Sequence, residues 1–537
     1  MKEGRFMLKR IFAILLSLVL LLGTGLAAYA EESSTPPEPP SGEMTPPDSG
    51  NGQPPELPSG DMTPPDGSNG QPPELPSGDM TPPDGGNGQP PEFPSGDMTP
   101  PDGGNGQPPA KPDGAPGGGG FGGGTPPGGG TSSFEYSAAT EITSAVSEAL
   151  TDETFVSETA DESALIVNTD GSVSIDNPLV IKSGDSDGGD NCNFYGLNAA
   201  VLVMGSSVTT ITGGTIQSSA SGANGVFSYG GISGMNGADG DGTTVIISDT
   251  AITTSGDGSG GIMTAGGGIT YAYGLTVNTS GRSSAAIRSD RGGGTVVVDG
   301  GTYTTEGLGS PAIYSTADIT VKNASLISNL SEGVCIEGKN SITLENCDLT
   351  ASNTQRNGHA SFLDTVMIYQ SMSGDADSGT SSFTMTGGTL TSLSGHMFHV
   401  TNTHAVITLS GVTLVNEGSD ILLSVCDDGW SGAANTADLI ADSQVLSGTI
   451  LVGGNSTLNL TLANGSSFGG TFSGEITNAK DEAVSSEIGT VSVTLDETST
   501  WTLTADTWIT EFSGNAQSVI GNGYTLYVNG TALEGIR

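Results

Sequence analysis

Val321-Lys-Asn-Ala-Ser-Leu326 is followed 23 residues later by Leu344-Glu-Asn-Cys-Asp-Leu349. The same phrase, apolar, any residue, two small residues, Thr/Ser or Asp, apolar, opens earlier as Ile211-Thr-Gly-Gly-Thr-Ile216, Ile247-Ser-Asp-Thr-Ala-Ile252 and Val298-Asp-Gly-Gly-Thr-Tyr303. It returns as Met385-Thr-Gly-Gly-Thr-Leu390 and Leu409-Ser-Gly-Val-Thr-Leu414. Between Ile211 and Phe468 most steps are 23 to 26 residues, with longer ones such as Leu349 to Leu390. A near-constant step with variable insertions is how the coils of a solenoid stack. Each phrase reads as two short alternating strands joined at a tight corner, where Gly, Asn and Asp tolerate positive φ. No helix-period run of useful length interrupts the series. The expected fold is all-β, a right-handed parallel β-helix of about ten to twelve coils.

Outward from this body, the chain divides by composition. Residues 1–30 read as an export signal: Lys2, Arg5, Lys9 and Arg10, the apolar run Ile11–Leu22, then Ala28-Tyr29-Ala30. The run is too short for a typical membrane span. Residues 31–133 repeat with a period of 18, from Thr45 to Thr63, Thr81 and Thr99, and end in a glycine tract. Pro and Gly at that density bury no core, so a disordered stalk is expected. An N-terminal cap is assigned to 134–163, with Ala145–Phe155 as a short helix or irregular segment. The β-helix is assigned to 164–475, its first coil at Ala164–Ile181, and closing coils with a C-terminal cap to 476–537.

The chain carries a formal net charge of −45, and loss of the signal, with four basic residues and one acidic, takes it to −48. Such a surface disfavours nucleic acid and anionic lipid as partners. An extracellular location is expected, secreted or loosely held at the cell surface, with no membrane span after cleavage. Cys192, Cys335, Cys347 and Cys426 read as free thiols, with a Cys335–Cys347 bridge as the alternative.

Several blocks carry a family likeness: Asn193-Phe-Tyr-Gly-Leu-Asn-Ala-Ala-Val201, Gly222-Ala-Asn-Gly-Val-Phe227, Asp257-Gly-Ser-Gly-Gly-Ile-Met263, Ala285-Ala-Ile-Arg-Ser-Asp-Arg-Gly-Gly-Gly294, Gly309-Ser-Pro-Ala-Ile-Tyr-Ser315 and Val366-Met-Ile-Tyr-Gln-Ser-Met372. Over about 150 to 475 the chain resembles the exported adhesin-like right-handed β-helix proteins of anaerobic bacteria and archaea. The resemblance implies a fold and an extracellular role and assigns no chemistry.

Six of the ten basic residues left after signal cleavage, Arg282, Arg288, Arg291, Lys322, Lys339 and Arg356, fall in the middle coils. If Ile287, Ile313, Ile336, Ile368 and Phe398 stack inward, then Arg288, Tyr314, Glu337, Tyr369 and His399 face outward in one row. Asp290, Thr316, Lys339, Ser371 and Thr401 make a second. Such a strip suits a sugar chain: rings on tyrosines, hydroxyls and carboxylates on Arg, Lys and Glu. The partner expected is an extracellular polysaccharide, anionic given the basic cluster. Trp430, beside Asp427-Asp428, is a further stacking candidate. The alternative is a polysaccharide lyase or glycoside hydrolase, with Glu337 as acid or base and Arg288 or Lys339 steering substrate. A structural spacer without ligand is the third reading. No cofactor is required. Asp185, Asp187 and Asp190 are Ca2+ candidates because closely spaced carboxylates with Gly between them turn oxygens inward, and Asp239-Gly-Asp241 and Asp375-Ala-Asp377 lie in longer inserts.

Overall fold

The structure, a computed structural model, describes residues 135–232, 239–358 and 360–537. The expected export signal and Pro/Gly-rich segment lie outside them. The described chain is all-β, with long parallel sheets in a solenoid-like stack. One sheet has 15 parallel strands, from Ser137–Ile142 to Val519–Ile520, one from each successive coil, more than the ten to twelve coils expected, because the ladder runs on into the stretches expected to be caps. A second, of 22 strands, is built from the recurring phrases. Ile211 pairs with Ile247 and Val298 with Val321; Val321 pairs with Leu344, Leu344 with Met385 and Met385 with Leu409. Across the corner, Ile216 pairs with Ile252, Tyr303 with Leu326, Leu326 with Leu349 and Leu349 with Leu390. All of these are buried. Each phrase thus adds two apolar rungs to the core.

The corners explain their own composition. At Gly213-Gly214 both residues have positive φ (66° and 76°), and a Cβ on Gly214 would lie 2.3 Å from the Pro178 carbonyl oxygen. Only glycine turns that tightly against the coil before it. Asn323 and Asn346 take the same left-handed conformation with φ 52°, which their short polar side chains tolerate. Asn323 also donates its side-chain amide to Asp299, 2.7 Å away on the neighbouring coil.

The small-residue blocks hold a buried serine spine. Ser284 Oγ donates to the Gly256 carbonyl (3.1 Å) and accepts from the Ser259 amide (2.9 Å). Ser310 Oγ repeats this with Gly281 and the Ser284 amide, each at 2.8 Å. Every hydroxyl therefore satisfies one donor and one acceptor of successive coils where no water reaches.

The ladder begins before residue 164. Ser137–Ile142 pairs with Glu162–Asn168, and Leu150–Thr151 and Thr154–Ser157 are strands, so Ala145–Phe155 forms no helix. This stretch already forms a coil, because Phe155 supplies a buried apolar rung of its own. All four cysteines are free and buried. No helix among the described residues is long and apolar enough to cross a membrane.

Candidate functional site

The expected inward set is inward: Ile287, Ile313, Ile336, Ile368 and Phe398 are all fully buried. Its register is not the expected one. Ile313 pairs with Val334, and Ile336 pairs with Ser315. A slip of two residues keeps every side chain on its own face, so alternation alone does not reveal it. The expected row therefore splits in two. Arg288, Tyr314, Cys335, Met367 and His399 form one column, while Glu337 and Tyr369 pair in the next, continued by Thr401.

The larger correction concerns access. These side chains point away from the solenoid core, yet Glu337, Tyr369 and His399 are 0–1% exposed, and Asp290 is 2%. A second layer roofs the outer face of the 15-stranded sheet. It is made of the insert residues 352–358 and 360–363, 370–379 and 426–434, contributed by two of the coils with long steps. Trp430 lies on Tyr369 with ring centroids 5.3 Å apart, and the two join Cys335, Ala360 and Met367 in an apolar cluster with Tyr314 at its edge. Phe362 stacks on His399 at 4.5 Å. Asp428 accepts the Ser361 amide with both carboxylate oxygens (2.7 and 3.0 Å). Trp430 is thus a packing residue, 7% exposed.

Glu337 is the centre of a sealed polar knot. Tyr314 and Tyr369 donate to its Oε2 at 2.6 and 3.1 Å. Ser371 and Ser373 donate to Oε1. Burial pushes its carboxyl upward and the nearby Asp375 adds to this, while the hydroxyl donors oppose it. Asp290 is pushed up to about 6 by burial and by Asp375, against the pull of Arg288. Asp364, buried under the same roof, lies well above the usual carboxylate range through burial and the charges of Glu332 and Asp428. Its Oδ1 has no hydrogen-bond partner among the described residues. The histidines His396 and His399 share one hydroxyl, each placing Nδ1 2.8 Å from Ser424 Oγ. His399 Nε2 lies 3.7 Å from Asp428. A Ser-His-Asp row of this kind resembles a hydrolytic constellation, but its hydroxyl is divided between two rings and all three residues are buried.

Apart from Arg356, which is exposed, the residues of the basic cluster are committed to holding the structure. Arg288 bonds Asp290 at 2.8 Å, Lys322 bonds Glu345 at 2.9 Å and Lys339 bonds Asp377 at 2.8 Å. Arg282 donates to Asn357 at 3.4 Å. Arg291 bonds Asp375 and lies 4.0 Å over the Phe194 ring. Outside the cluster, Lys182 Nζ donates to the Thr159 and Gly184 carbonyls, and Lys480 donates to Ser361 at 2.8 Å. The cluster read as an anion site is largely a set of staples between coils and inserts. Lys339 is the one member of the expected strip with a well-exposed side chain (42%).

The calcium candidates do not converge. Asp185 accepts the Ser221 amide at 2.8 Å, and Asp190 caps the four-residue helix Asn191–Phe194 without a side-chain bond. Among the described residues no group of three or more His, Cys, Asp or Glu, Asp187 included, could hold a metal ion. The sequence reading missed Asp364 and did not pair Arg291 with Asp375. The signal for the two aspartates was the long step from Leu349 to Leu390, whose extra residues had to pack somewhere.

Compared with known proteins, the chain matches no family model, no curated protein and no solved structure.

Proposed function

We propose that the protein is an exported, adhesin-like right-handed parallel β-helix that binds extracellular glycans along the outer face of its phrase-built sheet. The observation that carries this is the contrast between the two outer faces. The 15-stranded sheet is roofed over its middle coils, whereas the phrase-built sheet alternates buried and accessible residues along its strands. One accessible row runs Thr212, Ser248, Tyr273, Asp299, Lys322, Glu345, Thr386 and Ser410 through successive coils. Tyr273 in this row is 43% exposed, and Tyr271, two residues earlier on the same strand and in the neighbouring row, is partly exposed. Rungs about 4.8 Å apart set hydroxyls, carboxylates and two rings at a spacing that follows an extended chain. Aromatic faces stack on sugar rings while polar neighbours bond their hydroxyls. With four of the six residues of the basic cluster in ion pairs, a neutral polysaccharide suits this face better than a uronate.

The enzymatic reading has less support. Glu337, its acid or base, is fully buried and held by four hydroxyls, and substrate reaches it only if the roof moves. A glycan array with the full chain and with Tyr271→Ala/Tyr273→Ala tests the proposal. Binding by the parent and its loss in the variant is the expected result. Unchanged binding by the variant removes this face, new reducing ends favour catalysis, and silence throughout favours a spacer.

A further inference from the structure

We infer that a small cleft near the C-terminal end of the solenoid binds one neutral sugar residue. The inference rests on the glycan-binding reading and adds to the chain-binding face a second, separate site that recognises a single ring, such as a terminal unit. The cleft lies where the corner Gly453–Ser456 meets Cys426 and Asp427 of the coil before it and Val484–Glu487 of the returning hairpin. Its volume is ≈ 230 Å³, below the roughly 300 Å³ at which pockets for drug-sized ligands begin. A single sugar ring is of a size to fill it.

The walls are fixed by backbone bonds. The Gly453 amide donates to the Val425 carbonyl (3.0 Å), and the Gly489 amide to Val452 (3.1 Å). The Gly454 amide donates to Ser485 Oγ (3.1 Å), which donates in turn to the Glu487 carbonyl (2.9 Å). The antiparallel hairpin Glu475–Thr477 with Ala483–Ser486 carries the outer wall. The site is therefore preformed.

Ser456 lines the cleft and adds a hydroxyl, able to donate and to accept, to its polar lining. Asp427 accepts from Asn435 through Oδ1 at 2.9 Å, leaving Oδ2 available. Asn455 and Glu487 complete the polar rim. Carboxylates accept from sugar hydroxyls, and the amide and the serine donate to sugar oxygens. The lining holds two carboxylates and no Lys, Arg or His, so a uronate is repelled. A metal is disfavoured because no metal-binding group of side chains forms among the described residues.

The test is saturation-transfer NMR and calorimetry on the full chain. The probes are methyl glycosides of glucose, galactose, mannose and N-acetylglucosamine, with glucuronate and Ca2+ alone as contrasts. At least one neutral glycoside is expected to bind at millimolar concentration and glucuronate more weakly. Asn455→Ala/Glu487→Ala, at exposed positions, should weaken binding at least about tenfold at an unchanged melting temperature. The inference is overturned if no glycoside binds the parent, if the double variant binds as the parent does, or if Ca2+ alone binds and is lost in the variant. Tyr273→Ala separates the two sites: polysaccharide binding lost with glycoside binding kept supports the cleft, and glycoside binding lost with it refutes the cleft.

Discussion

Arg291 and Asp375 are 84 positions apart in sequence and form an ion pair over the outer face of the roofed sheet. The guanidinium also covers the Phe194 ring. One residue thereby ties together a middle coil, the insert 370–379 and the N-terminal helical turn. Arg291→Ala is expected to cost about 1–2 kcal/mol, the sum of a partly exposed ion pair and a cation–π contact. Arg291→Lys should recover less than half, because an ammonium lacks the planar face. Urea unfolding of the three proteins measures this. Equal stability of the alanine variant and the parent would show that the staple carries no energy.

Arg288 and Lys339 should behave differently from each other. Arg288 neutralises a carboxylate that is 97% buried, and Lys339 pairs at the surface. Arg288→Ala is expected to lose about 3 kcal/mol at pH 7 by leaving Asp290 unpaired, and Lys339→Ala less than about 1 kcal/mol. Similar melting temperatures for the two variants would contradict the burial of Asp290.

Asp290 also makes stability depend on pH. Its folded-state pKa of about 6 lies above the ordinary 3.8, so the folded chain binds more protons in that window. Its contribution must fall as pH rises from about 4 to above 6, by at most roughly 3 kcal/mol. Glu337 and Asp364 are shifted in the same direction, and the mounting negative charge of the chain works with them. Denaturation at pH 4.5, 5.5 and 7 should show the decline, flattened in Asp290→Asn. A rise in stability over that range would reverse the sign argued here.

Ile313→Asp and Ile336→Asp each place a carboxylate in the apolar stack, where both isoleucines are fully buried. Either should cost about 3–5 kcal/mol and lower the melting temperature of the whole ladder, because coils support only their neighbours. A variant melting like the parent would mean that its position faces solvent.

The four thiols should be inert in the native state. Burial raises the pKa of each, Cys426 and Cys335 most, and a thiol held protonated is a poor nucleophile. A thiol-reactive dye should label none of them until denaturant is added, then all four. Rapid native labelling of Cys335 would show that the roof over it opens.

The sequence by itself determined the coil and what fills it. Apolar residues at both ends of each phrase, with Gly or Asn between, specify two inward rungs and a left-handed corner, because strand alternation and positive φ are local properties. Ile211, Leu344 and Leu390 could be placed in the core from these rules alone. Only the tertiary structure decided the register of the first strand and the fate of the outward side chains. Pairing Ile336 with Ser315 instead of Ile313 changes no side chain's face, so the period of two cannot distinguish the registers. Arg288, Glu337, Tyr369 and His399 do point outward as their positions dictate. Glu337, Tyr369 and His399 are buried, and Arg288 is largely covered, because Phe362, Asp375, Asp428 and Trp430, on the inserts, close over them. Whether an outward residue meets water depends on that second layer, and its contacts join positions tens of residues apart that no local pattern connects.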